Sequence, residues 1–297
     1  MDVLLAGATG FTGSRVLDLL LENGHRVACL VRPWSDAEAI EKLDVAVVRG
    51  SLEEAPVLAD ALRGRDALVS AGPLTPATAN GIVGAAGASC VARIVVIGTT
   101  SIFTNLNAAS KTRKTEAEST IRDSGLDYTL LRPTMIYGTH EDRNMCRLVR
   151  YLSTHTFMPV FGSGKHLQQP VHVEDLARAV VLALENPVSI GKAYDVAGGE
   201  AVTYSEVIDT TARLLGRRVV RVHLPLGLSL ALVRLYRKVA PNPQIHAEQV
   251  LRLNEDKAFS TEEIERDLGY DAVGFEEGMR REIEEIRSWD LARRSRT

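Results

Sequence analysis

Aromatic residues are scarce in this chain: phenylalanine, tryptophan and tyrosine make up 5% of it, with two tryptophans among 297 residues. Cysteine is scarcer than usual. Cys29, Cys90 and Cys146 are scattered and share no metal-ligand spacing, so no metal site is expected. That usage suits a reducing compartment, and the expected location is cytoplasmic. Neither sign of charge dominates. Thirty-five Lys and Arg face 38 Asp and Glu, a formal net charge of −3, so no basic field points to nucleic acid. Long apolar runs are missing as well: nothing approaches the roughly 20 residues of a spanning helix. The nearest candidate is residues 224–235, followed by Tyr236, Arg237 and Lys238. It reads as a packed helix or a lid over a pocket, and contact of 224–238 with a membrane surface is not expected. The N-terminus has the pattern of a strand and not of a signal peptide.

Apolar residues make up 45% of the chain, enough to bury a substantial core. The length allows one large α/β unit or two domains sharing a cleft. The most informative stretch is the beginning. Residues 3–6 form an apolar run that ends in Gly7-Ala8-Thr9-Gly10-Phe11-Thr12-Gly13, and an amphipathic segment with Val16, Leu17 and Leu20 follows. Strand, glycine turn and helix in that order suit a dinucleotide pyrophosphate. The glycines admit a close backbone approach, and the helix N-terminus offers N–H groups and a positive dipole end.

Strand and helix signals then alternate. Apolar strands are predicted at 27–31, 45–48, 67–71, 94–97 and 128–131. Asn23-Gly24, Arg63-Gly64 and Gly125 are placed to stop helices. Ser35 to Glu38 and Ser51 to Glu54 have capping-box spacing, which predicts that a helix opens at each. Helices are also predicted over 77–88 and 110–124. This rhythm predicts an α/β fold with a doubly wound parallel Rossmann sheet. After Arg132-Pro133 the rhythm breaks. A helix is predicted around 142–152, strand and helix return over 171–184, a strand covers 193–197, and Thr203 to Glu206 forms a third capping box. No linker separates the halves. The expected division is residues 1–138, with 168–198 returning to them, as the cofactor-binding unit. Residues 139–167 and 199–297 then form a smaller, interleaved, mostly helical substrate lobe.

Gly7–Gly13, Ile97-Gly98-Thr99-Thr100-Ser101, residues 124–133, Ile136-Tyr137-Gly138 and residues 170–177 occur in this order along nearly the whole chain. Their order and spacing resemble the extended and atypical short-chain dehydrogenases/reductases. Within that superfamily the resemblance is closest to the epimerase/dehydratase, NmrA-like and complex I accessory-subunit relatives. It implies a cofactor domain for NAD or NADP and a C-terminal substrate domain. The expected function is oxidation or reduction of a carbonyl/alcohol centre on a small molecule. A nucleotide-sugar epimerase or dehydratase, or a non-catalytic NADP(H)-binding sensor or assembly protein, is the alternative. No nucleic-acid partner is expected, and the chain is expected as monomer or homodimer.

The residue about 20 positions past the glycines, at the end of the second strand, is Arg32 where a 2′-hydroxyl would favour an acid. Arginine suits a phosphate, so NADP is expected over NAD. Candidate cofactor contacts are Gly7, Thr9, Gly10, Phe11, Thr12, Gly13, Arg32, Ser51, Leu52, Ala71, Gly72, Lys114 and Pro133. In such enzymes a tyrosine stands four residues before a lysine on one helix, so that both share a face. The resemblance places the lysine at Lys114, and Ser110 then occupies the tyrosine position; a register on Lys111 places Asn107 there. No tyrosine occurs between Leu74 and Asp127. Thr99 or Thr100 can supply the hydroxyl that orients substrate. Three readings follow: Lys114 acts directly as acid/base, Tyr137 reaches in from the substrate side, or the chain binds cofactor without hydride chemistry. Arg143, Asn144, Arg147 and Gln169 are candidate substrate contacts. His172 reads as a hydrogen-bonded structural histidine, and Asp175 as a carboxylate at a helix start.

Overall fold

A computed structural model describes residues 1–43, 45–106, 109–239 and 247–294. The first half runs β1 (Asp2–Ala6), α1 (Phe11–Glu22), β2 (Arg26–Val31), α2 (Glu38–Glu41), β3 (Ala46–Arg49), α3 (Ala55–Leu62), β4 (Ala67–Ser70), α4 (Pro76–Ser89), β5 (Arg93–Ile97), α5 (Ala109–Arg122) and β6 (Tyr128–Pro133). The second half follows as β7 (Ile136–Tyr137), α6 (Met145–Thr154), β8 (Phe157–Phe161), β9 (Leu167–Gln168), β10 (Val171–His172), α7 (Val173–Glu185), β11 (Lys192–Val196), β12 (Val202–Thr203), α8 (Tyr204–Leu214), β13 (Val220–Leu224), α9 (Leu226–Val239), α10 (Ala247–Arg252), α11 (Glu262–Leu268) and α12 (Phe275–Arg294).

Seven strands form one sheet in the order β11-β6-β5-β4-β1-β2-β3. Every neighbouring pair in it is parallel. Strands buried on both faces need covering on both faces. Leu5, Cys29 and Val69 face the side packed by α1 and α7. Leu4, Leu30 and Leu68 face the side packed by α3, α4 and α5. The strand order reverses between β1 and β4, so the crevice at their carboxyl ends is where a ligand binds in such a sheet. A third apolar cluster joins α6, α8 and α12 through Leu152, Ile208, Met279 and Ile283.

The stop signals act as expected: Gly24, Gly64 and Gly125 all have positive φ. The Thr203–Glu206 capping box forms in full at the start of α8. The two earlier boxes do not. Helix α2 starts at Glu38 without a side-chain cap, and Asp36 accepts the Glu38 N–H instead of Ser35 capping the turn. Helix α3 starts at Ala55, where Pro56 sets the first turn. Ser51 Oγ accepts only the Glu53 N–H. The helix predicted at 142–152 begins at Met145 because Asp142 caps it from outside, accepting the N–H groups of Asn144, Met145 and Cys146.

The segment 224–235, expected as a packed helix or a lid, carries helix α9, which packs on one face only: Ser229 and Val233 face inward, while Leu228, Leu232 and Leu235 are exposed. Among the described residues no helix is long and apolar enough to cross a membrane.

Candidate active site

Strand β1 delivers the chain into the glycine turn at the point of strand-order reversal. Gly7 sits at φ +92°, and a Cβ there would lie 2.9 Å from the backbone of Ala71 and Gly72. Only glycine lets β1 and β4 end this close together. Gly10 opens α1 and donates its N–H to the Gly7 carbonyl at 3.0 Å. A Cβ on Gly13 would overlap that same carbonyl. The N-terminus of α1 has no side-chain cap and no acid in its first turn. Its first N–H groups therefore have no intrahelical or side-chain acceptor, as an incoming anion requires.

Two cavities flank this turn. One, of about 340 Å³, is walled by Gly7, Thr9, Gly10, Arg32, Ser51 and Leu52. The other, of about 490 Å³, is walled by Thr12, Gly98, Thr99, Ser110, Arg113 and Lys114. Ala71, Gly72, Pro73 and Thr75 line both, so they form one groove along the strand ends. A helix N-terminus midway along such a groove, with a Cβ-free cradle beneath it, fits a dinucleotide whose pyrophosphate lies on Gly10 and whose two ends fill the cavities. Arg32 is exposed at the first end, its guanidinium 5.7 Å from the centre of the Trp34 ring. Sequence reading missed Trp34, 74% exposed two residues beyond Arg32. Phe11 and Pro133 lie instead on the wall of a third, open cavity near Thr99.

Helix α5 carries the polar face of the second cavity. Ala117 and Ile121 pack into the core. Ser110, Lys114 and Glu118, spaced four apart, face the cleft together. A buried ion pair fixes this helix: Arg132 at the end of β6 meets Glu118 through both carboxylate oxygens. Lys114 Nζ donates to Ser101 Oγ at 2.8 Å. Thr99 Oγ1 donates to the same oxygen at 3.1 Å. Partial burial lowers the Lys114 pKa, and the nearby Arg252 charge lowers it further against the opposing pull of Glu248. Ser101 was not among the candidates; its position two residues past Thr99 was the only available signal. Asn107, the tyrosine position in the Lys111 register, lies outside the described residues.

Several expected residues stand elsewhere. Thr100 is buried and donates its hydroxyl to the Pro133 carbonyl at 3.1 Å, so it straps β5 to β6 instead of facing substrate. Tyr137 does not reach into the cleft. Its ring is 1% exposed, edge-on to His172, and its phenol packs against Gly278. Burial, with Glu282 nearby, pushes its pKa far up, so it is no acid/base at neutral pH. Gln169 is also spent inside the fold, its Nε2 donating to the Gly198 carbonyl at 2.8 Å and its Oε1 accepting the Phe259 N–H at 2.9 Å. Arg143 and Asn144 do line the open cavity beside Thr99. Arg147 is exposed on α6 and borders none of the cavities described. His172 caps α7, its Nδ1 accepting the Glu174 N–H at 3.4 Å. Asp175 is buried, meets Arg178 and accepts the Val273 N–H at 3.0 Å.

The resemblance extends to known proteins. A family model described as NAD(P)H-binding matches residues 7–187. The chain is 30% identical over 163 residues to short-chain dehydrogenase/reductase family 42E member 1 of Bos taurus, a match that covers 49% of this chain and 41% of that protein. It thus spans less than half the length of that relative. It is 29% identical over 218 residues to a (4-alkanoyl-5-oxo-2,5-dihydrofuran-3-yl)methyl phosphate reductase of Streptomyces griseus, covering 72% of this chain and 74% of the reductase. A double mutant of the dTDP-glucose 4,6-dehydratase of Streptomyces venezuelae, solved with NAD, shares the fold with a TM-score of 0.74 at 20% identity over 97% of this chain and 98% of that one. The glycine cradle, the parallel sheet and the family match agree: the chain belongs to the NAD(P)H-binding family within the extended short-chain dehydrogenase/reductase superfamily.

Proposed function

We propose that this chain is an NADP-dependent oxidoreductase that reduces a carbonyl, or oxidises the matching alcohol, on a small molecule. The observation that carries the reading is the Lys114–Ser101–Thr99 hydrogen-bonded row on the wall of the cleft that continues from the glycine turn. NADPH, when bound, supplies the hydride. The groove residues Gly7, Gly10 and the α1 N-terminus hold its pyrophosphate, and Arg32 holds the 2′-phosphate. In the same proposal residues 1–138 with 168–198 bind the cofactor, and 139–167 with 199–297 shape the substrate side.

Ser101 Oγ accepts from both Thr99 and Lys114, so its own O–H is left to donate to the substrate oxygen. As negative charge develops on that oxygen, Ser101 gives up its proton and takes one from Lys114 Nζ. The lowered pKa of Lys114 makes that transfer easier than from an ordinary lysine. This row does the work of the tyrosine that Ser110 replaces. NADPH consumption across a panel of ketones and aldehydes tests the reading. Turnover lost in Lys114→Met supports it; tight NADPH binding with no turnover favours the sensor or assembly role.

A further inference from the structure

Beyond Thr99 and Ser101 lies another cavity, of about 320 Å³, lined on one side by the end of α10 and the segment that follows it. Four charged side chains line it: Arg252, Glu255, Asp256 and Lys257. The two carboxylates are already engaged. Glu255 accepts from Thr104 Oγ1 at 2.7 Å and from the Asn105 N–H at 2.9 Å. Asp256 accepts the Leu167 N–H at 2.8 Å and lies 3.3 Å from His166 Nδ1. The cations are less well matched. Among the described residues Lys257 Nζ makes no hydrogen bond or ion pair. Arg252 pairs with half-exposed Glu248 at 2.7 Å and reaches Ser110 Oγ at 3.4 Å, yet its Nε is buried without an acceptor. A partly buried cation without a partner is costly, and an arriving anion removes that cost.

We propose that this cavity is an anion subsite in which Arg252 and Lys257 hold a carboxylate or phosphate group of the substrate. The assignment of that anion to a substrate rests on the oxidoreductase reading. Arg252 offers a planar fork and Lys257 a mobile point charge, a pairing suited to an oxyanion. Thr99 borders this cavity, the cleft that holds Lys114 and the open cavity beside Asn144. Asn144 and Asn105 also line the subsite and provide amides for the remaining oxygens. An anionic group held here leaves the rest of the molecule to extend past Thr99 and Ser101 towards Lys114. The preferred substrates are then oxo acids or phosphorylated carbonyl compounds, and their neutral esters or alcohols are poor ones. Burial lowers the Lys257 pKa and Arg252 adds to it, against the opposing pull of Glu255.

The test is calorimetric titration of the full chain, saturated with NADPH, by inorganic phosphate and separately by acetate. Arg252→Gln, Lys257→Met and Lys257→Arg are titrated alongside the unsubstituted protein. At least one anion is expected to bind, about tenfold more weakly in Arg252→Gln and Lys257→Met, with binding kept in Lys257→Arg and NADPH affinity unchanged throughout. Phosphate binding alone points to a phosphate ester, and acetate binding alone to a carboxylate. No anion binding, or binding indifferent to both charge-removing variants, overturns the subsite. If NADPH itself does not bind, the oxidoreductase reading falls, and the same titration of the unliganded protein still decides the subsite.

Discussion

Lys114 Nζ lies 2.8 Å from Ser101 Oγ, a contact across 13 residues that ties helix α5 to the loop after β5. It puts Lys114, the only lysine among the described residues on the wall of that cleft, against a hydroxyl that already accepts from Thr99. Replacing Lys114 by Met is expected to lower turnover at least about a hundredfold, the usual scale of a lost general acid. Its depressed pKa also sets a pH limit. Carbonyl reduction needs the protonated lysine, so the rate falls as pH rises through the Lys114 pKa, at a pH below that of an ordinary lysine. A pH–rate profile of kcat checks this: a descending limb should be present in the unsubstituted enzyme and absent from the residual activity of Lys114→Met.

In the proposed function Arg32 is the residue that separates the two cofactors. It borders the first cavity and is exposed, so removing it costs a phosphate contact without disturbing the core. Charge-assisted hydrogen bonds of this kind contribute about 1.5–3 kcal/mol. Arg32→Ala is expected to weaken NADPH binding by about ten- to a hundredfold and to leave NADH binding within about twofold. Equal losses for both cofactors would remove Arg32 as the source of the preference.

The fold was largely legible because its signals are local. Apolar runs such as Leu68 and Val69, stops such as Gly64 and the Thr203–Glu206 cap act within a few residues of themselves. The earlier caps misled because Asp36 and Pro56 compete for the same turns, and spacing alone does not show which wins. The site was legible where backbone geometry sets it, at Gly7 and Gly13. It was not legible where the third dimension does. Nothing near Tyr137 in sequence reveals that Gly278 lets its phenol sink beneath α12. Arg252, 142 residues beyond Ser110, meets it at the edge of the cleft, and with Lys257 it lines the neighbouring cavity beyond Thr99.

Gly13 tests the cradle. An alanine Cβ there would overlap the Gly7 carbonyl, and backbone cannot yield as a flexible side chain can. Gly13→Ala is expected to destabilise the fold by about 1–3 kcal/mol, the range for overpacking, and to abolish detectable NADPH binding. Thermal melting with and without NADPH measures both. A variant that melts normally and is still stabilised by NADPH refutes the close α1–β1 approach.

Glu282 gives a stability test away from the cleft. It is fully buried beside Asp142, and neither carboxyl oxygen accepts a hydrogen bond from a donor among the described residues, whereas a protonated Glu282 can donate to the Asp142 carboxylate. Burial, then Asp142, pushes its pKa up from the ordinary 4.5 to about 11. The folded chain therefore holds a proton that the unfolded chain releases above its ordinary pKa. The stability this group confers is complete below pH 4.5 and declines as pH rises towards 11. Glu282→Gln keeps the neutral shape and removes that decline. The decline runs at about 1.4 kcal/mol per pH unit above 4.5, so the variant is expected to gain several kcal/mol over the unsubstituted protein at pH 8 and almost nothing at pH 4. Denaturant melts at the two pH values check the difference, and an equal effect at both contradicts a protonated Glu282.

The proposed hydride chemistry belongs to the Lys114 end of the groove. The most direct measurement is deuterium transfer from NADPH labelled at nicotinamide C4, in both stereochemical forms, to carbonyl compounds, read by mass spectrometry of the alcohols. The expected result is label in product from one of the two forms, reduced at least about a hundredfold in Lys114→Met. Tight NADPH binding with no label in any product, or label transfer unchanged in Lys114→Met, contradicts the claim.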